Sequence, residues 1–135
     1  MGARDFLNQV RHEQRELNQL QDMIRQAELS LLPSGIRYDL DKVQTSPDDP
    51  MFRMLAKVAD YQTDMRKRLE LLTAKRKKAF AMIGRLEDSR HRQVLQLYFL
   101  DPDRLKMREV AERIGYSEPE TYRLYKSALD ILDSE

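Results

Sequence analysis

At the opening of the last helical stretch stand Ser117, Glu118, Glu120, Tyr122, Arg123 and Lys126. These side chains can hydrogen-bond outward from one helix face. The planar guanidinium of Arg123 could make a bidentate contact to guanine or grip a phosphate. Tyr122 and Lys126 suit phosphate oxygens, and Glu118 or Glu120 could accept from a cytosine amine. Two carboxylates near the same surface also repel phosphate. The pattern therefore predicts help from Arg90, Arg92 and Arg108, and from a second copy of the chain. Lys75, Arg76, Lys77 and Lys78 form a basic run, with Arg66, Lys67, Arg68 and Arg85 on the same stretch. That run reads either as phosphate contacts beside the first group or as an ordinary solvated helix face.

Other chemistry finds little support. The absence of cysteine rules out disulfides, thiolate metal sites and a cysteine nucleophile. His12 and His91 are isolated from each other and from any ligand spacing, so no metal site is expected. Asp101-Pro102-Asp103 reads as a turn with Asp at a helix end, without the ligand pattern of a calcium loop. There is no glycine-rich phosphate loop and no Gly-x-Ser-x-Gly. No carboxylate pair stands apart from the charged helical background. The expectation is a protein without enzymatic activity or cofactor. Tyr98, Phe99, Tyr116 and Tyr125 follow helix-facing spacing and are expected in or beside a core, not as a stacking platform for single strands.

The elements that position the first group can be read from local signals. Met107 to Ile114 forms a short amphipathic stretch in which small Ala111 permits a close helix crossing. Gly115 stands where the chain must turn, because glycine reaches positive φ without steric penalty. Ser117 can cap the next helix, Glu120 completes a Ser-x-x-Glu capping box, and Pro119 falls in the first turn. Val110, Ile114, Thr121, Leu124 or Tyr125, Ala128, Leu129 and Leu132 then face inward. A short helix, a glycine turn and a capped second helix make the order of a helix-turn-helix.

Ser89 to Leu100 resembles the helix that precedes the helix-turn-helix in region four of bacterial sigma factors. Glu109-x-Ala111-x-x-Ile114-Gly115-x-Ser117 and the later Ala128-Leu129-x-x-Leu132 continue that resemblance over about 45 residues. Upstream, Ile36-Arg37-Tyr38-Asp39 and Val43-Gln44-Thr45-Ser46 lie between two long helical stretches. With the C-terminal pattern, this layout is similar to small phage and prophage transcriptional regulators of the ArpU/RinA type. The resemblance implies a sequence-specific regulator that binds double-stranded DNA in the cytoplasm of a bacterial host and controls late or packaging genes. RNA polymerase is a further partner it suggests.

The front of the chain must carry this unit. Asp5 to about Leu32 reads as one helix, with Leu17, Leu20, Ile24, Ala27 and Leu31 on an a/d seam that Phe6 and Val10 continue. Pro33 and Gly35 stop it. Residues 33–50 form a connector; Asp49-Pro50 is preferred to Ser46-Pro47 as the start of the next helix. From Met51 to about Glu87 one heptad seam collects Met51, Leu55, Val58, Gln62, Met65, Leu69, Leu72, Arg76, Ala79, Ile83 and Leu86. Gln62 and Arg76 are its polar members; they read equally as register-setting residues or as a wet edge. A helical hairpin follows, and a seam this long also calls for a homo-oligomer, dimer or tetramer.

Composition agrees with long helices. Of 135 residues, 35% are charged and 41% hydrophobic, with only 4 Gly and 5 Pro. The net charge of +1 conceals a basic centre: residues 66–92 hold 10 basic and 3 acidic side chains. No stretch has the apolar length of a membrane span or a signal peptide. The expected architecture is all-α: a coiled-coil-like helical hairpin over 1–87, then a three-helix sigma-region-four-like domain over 88–135. A small DNA-packaging subunit and a protein-interaction module that binds RNA polymerase are the alternatives to a regulator.

Overall fold

The computed structural model describes residues 2–30 and 49–135, and every regular element among them is an α-helix. These are α1 (Ala3–Ser30), α2 (Pro50–Ile83), α3 (Ser89–Leu100), α4 (Met107–Ile114) and α5 (Glu118–Asp133). Leu31, the connector from Leu32 to Asp48, and the two segments that carried the upstream resemblance lie outside the described residues. No helix among the described residues is long and apolar enough to cross a membrane.

The chain divides into two compact units: residues 16–70, and residues 1–15 together with 71–135. The division falls inside both long helices, whereas the sequence reading placed its boundary at residue 87.

In the unit of residues 16–70, α2 begins where Asp49-Pro50 predicted. The Met51 amide donates to Asp49 Oδ1 at 3.0 Å, which satisfies one of the orphan donors of the first turn. Leu17, Leu20, Ile24 and Val58 are buried. Gln62 donates to Glu28 at 3.1 Å, and Arg68 pairs with Glu16 at 3.4 Å. Two expected apolar seam residues are not covered: Leu55 is 45% exposed and Leu69 47%. Phe52, Met23 and Leu29 are exposed as well.

In the other unit, α1 buries Leu7, Val10 and Gln14, while Phe6 is half-buried. Counting back three residues from Val10 rather than four selects Leu7, so the seam expected through Phe6 is corrected by one position. From α2 and its exit turn, Leu72, Ala79, Ile83 and Leu86 are buried. This helix stops at Ile83, before the expected Glu87. The amides of Arg85 and Leu86 reach back only three residues, to Met82 and Ile83, and this tighter turn at Gly84 ends the α-helical ladder. Asp88 then opens α3 by accepting from the Arg90 amide at 2.9 Å. The remaining helices α3, α4 and α5 pack on Val94, Leu105, Val110 and Leu124, with Leu97, Tyr98, Ile114 and Tyr125 against them. Phe99, Thr121, Ala128, Leu129 and Leu132 are buried too. Tyr116, expected near the core, is 40% exposed because it follows the turn instead of facing a helix.

Candidate nucleic-acid interface

The turn from α4 into α5 fixes which face of α5 is presented. Gly115 adopts φ +79, and its amide and that of Tyr116 both donate to Ala111 O, at 3.0 and 3.2 Å. This left-handed ending turns two amides onto one carbonyl near the end of the helix. Ser117 is extended and accepts from the Glu120 amide at 3.3 Å. Only this half of the expected capping box is formed, since the Glu120 carboxylate turns to Arg123 at 3.0 Å. Thr121, fully buried, bonds its hydroxyl to Ser117 O at 2.8 Å and anchors the first turn.

With Thr121 and Leu124 inward, Glu118, Tyr122, Arg123 and Lys126 are exposed. The Arg123 side chain is 74% exposed, so its pair with Glu120 is worth only about 0.3–0.5 kcal/mol and yields readily to a better partner. Tyr122 stacks on Tyr125 with ring centroids 5.8 Å apart, and Lys126 Nζ lies 5.0 Å from the Tyr122 ring. The exposed face of α5 thus carries a row of donors beside the stacked rings of Tyr122 and Tyr125. Burial raises the half-buried Tyr125 hydroxyl above its ordinary pKa, with Tyr98 adding to the effect, which keeps it neutral.

The supporting arginines have different fates. Arg108 is exposed at the start of α4. Arg90 is exposed but bound to Asp88, Nη2 to Oδ2 at 3.0 Å. The Arg90 side-chain hydrogen bond, then its backbone amide, holds the Asp88 carboxyl at about 2. Asp88 in turn raises the Arg90 guanidinium, as does nearby Tyr116. Arg92 is occupied: its Nη1 donates to the carbonyls of Leu86 at 2.5 Å and Glu87 at 2.9 Å, tying α3 to the exit of α2.

The basic run is divided in the same way. Arg76 donates to Gln14 Oε1 at 2.9 Å and to the carbonyl of Leu100. Lys75 pairs with Glu13 at 2.5 Å. Both are therefore engaged by partners within the chain. Lys77 and Lys78 are exposed, Lys78 with its ammonium 5.2 Å from the Phe6 ring.

Arg11 was absent from the sequence-based candidates. It donates to the carbonyl of Tyr98 and, at 3.0 Å, to that of Leu105, with its guanidinium 4.0 Å from the Tyr98 ring centroid. Arg11 and Arg76 together cap the carbonyl end of α3, where the helix dipole favours cations. No local pattern signals such a contact, because Arg11 lies 87 residues from Tyr98. Among the described residues no group of His, Cys, Asp and Glu could hold a metal ion. Compared with family models, curated proteins and solved structures, the chain matches none.

Proposed function

We propose that this protein is a sequence-specific regulator that binds double-stranded DNA through a helix-turn-helix formed by α4 and α5, with α3 as the supporting third helix. The observation that carries this reading is the exposure of Tyr122, Arg123 and Lys126 on one face of a capped helix that follows a left-handed glycine turn. In this arrangement the start of α5 enters the major groove. Arg123 leaves Glu120 for a guanine or a phosphate, Tyr122 and Lys126 contact the backbone, and Glu118 discriminates between bases. Arg90, Arg108, Lys77 and Lys78 add sequence-independent attraction.

α1 and α2 serve as a helical hairpin that assembles the oligomer. The pairs Gln62–Glu28 and Arg68–Glu16 run in antiparallel order, and so do Arg76–Gln14 and Lys78–Phe6. Uncovered Leu55, Leu69 and Phe52 supply a surface for a second copy. The resemblance to ArpU/RinA-type phage regulators gives the setting: a bacterial cytoplasm, late or packaging genes, and RNA polymerase as a further partner.

Light scattering of the full chain with and without duplex tests the reading. A dimer or tetramer that binds duplex supports it. A ring of about eight or more chains would instead indicate a packaging subunit, since such rings close by repeated head-to-tail contacts. No duplex binding at low salt would indicate a protein-interaction module.

A further inference from the structure

We propose that a second copy of the chain docks along α2 in antiparallel order, on the stripe Phe52, Leu55, Ala59, Gln62, Arg66 and Leu69, with the two-fold axis between Ala59 and Gln62. The proposal rests on the oligomer reading above and adds the direction and register of the contact. It begins with the heptad seam of α2, which the fold divides. Val58 is buried and Met51 and Met65 are half-buried, whereas Leu55, Gln62 and Leu69 are exposed. Phe52, Ala59 and Arg66, each three residues before one of these, are exposed as well. Alternating steps of three and four place all six on one side of the helix, beside the covered seam. The stripe runs about 25 Å along α2. Large apolar side chains stand at both of its ends, the mark of a surface that a partner covers.

The composition of the stripe selects its partner. In a two-fold contact the same stripe serves both copies, so it must match itself. Parallel copies would set each residue against its own counterpart. Arg66 would then face Arg66 across a desolvated seam, and Ala59 would face Ala59 and leave a gap. Antiparallel copies turn the stripe end over end. Phe52 then meets Leu69 of the second copy, Leu55 meets Arg66, and Ala59 meets Gln62, each pair occurring twice. The large apolar residues close both ends. The Arg66 stem lies along Leu55 while its guanidinium reaches water. Small Ala59 leaves room for the longer Gln62, whose amide keeps its bond to Glu28 of its own chain at 3.1 Å. A polar residue at a seam position fixes register, which is the part Gln62 plays here.

The flanks of the stripe agree with this order. One flank carries Ala56 and Thr63, both exposed, which antiparallel copies set beside each other. Neither is charged or bulky, so the two helices can approach closely. The other flank carries Val58 and Met65, which extend the apolar surface toward the covered seam.

The chain has no cysteine, so a thiol introduced into the full chain reports only its own neighbours. A mixture of Phe52→Cys and Leu69→Cys chains should form a disulfide-linked heterodimer on mild oxidation. Neither variant alone should form a linked dimer, because its two thiols would lie about 25 Å apart. Linkage within each variant alone would mean parallel copies and overturn the proposal. No linkage in any mixture, while light scattering finds the native chain dimeric or tetrameric, overturns the proposal and leaves the oligomer reading standing. A monomeric native chain overturns both. Charge variants give a second readout that does not depend on disulfide geometry. Leu55 and Leu69 are both exposed, so their replacement leaves each chain folded, which circular dichroism verifies. Leu55→Glu places a carboxylate beside Arg66 of the second copy and should retain the dimer. Leu69→Glu places one beside Phe52 and should raise the dimer dissociation constant at least about tenfold above that of Leu55→Glu. Equal weakening by the two variants would overturn the proposal.

Discussion

Arg76 and Arg123 show how far the same side chain can differ in use. Arg76 bridges Gln14 and the last carbonyl of α3, while Arg123 is largely in solvent with a single weak partner. Arg76→Met should lower unfolding stability by about 1–3 kcal/mol in denaturant titration, because it removes the donor that answers the Leu100 carbonyl at the end of α3. An unchanged midpoint would mean that this carbonyl is satisfied by water. Arg123→Ala should leave stability unchanged but cost about 1–3 kcal/mol at a preferred DNA site if Arg123 reads a base. Equal loss on random duplex would make it a phosphate contact only. Asp88 gives a prediction in pH. Its carboxyl lies at about 2 in the fold against an ordinary 3.8, so its contribution to stability is fully present above 3.8 and is lost as pH falls through about 2. A carboxyl titration by NMR should find that low midpoint; a value near 3.8 would mean that the hydrogen bond from Arg90 does not persist in solution.

The α4–turn–α5 element is where local signals in the sequence were most legible. Gly115, Ser117, Pro119 and the inward positions Val110, Thr121, Leu124, Ala128, Leu129 and Leu132 take the conformations and burial that spacing indicated. At Gly115 a side chain would meet nothing within 4 Å, so only the backbone objects to one. Gly115→Ala should cost about 1–2 kcal/mol in thermal or chemical denaturation. A neutral result would show that the turn can abandon the left-handed conformation. Legibility fails where contacts are distant in sequence. Periodicity placed Val10 correctly but chose Phe6 where Leu7 is the buried residue, since both fit an apolar stripe. It placed Arg76 alone of the basic run on the seam, where it meets Gln14, but it did not separate Lys75, which turns to Glu13, from Lys77 and Lys78, which do not. Those three cations look alike until the opposing helix is present. Arg11 escaped notice for the same reason, as it meets the carbonyls of Tyr98 and Leu105 only through folding.

On the scale of the molecule, the three C-terminal helices share one compact unit with residues 1–15 and 71–83. A fragment of residues 88–135 loses the Arg11 and Arg76 caps on α3. It should melt below the full chain, and an equal melting temperature would show the three helices to be self-sufficient. The base that holds α5 includes the start of α1, where the Arg4 amide donates to Asp133 Oδ1 at 3.2 Å and Arg11 lies over the Tyr98 ring. The most direct test of the whole account is duplex affinity of the full chain against a variant combining Tyr122→Ala, Arg123→Ala and Lys126→Ala, with circular dichroism to verify that both are folded. The account predicts a folded variant whose affinity falls at least about tenfold, the effect of some 1.4 kcal/mol. A folded variant that binds duplex as tightly as the native chain would contradict it.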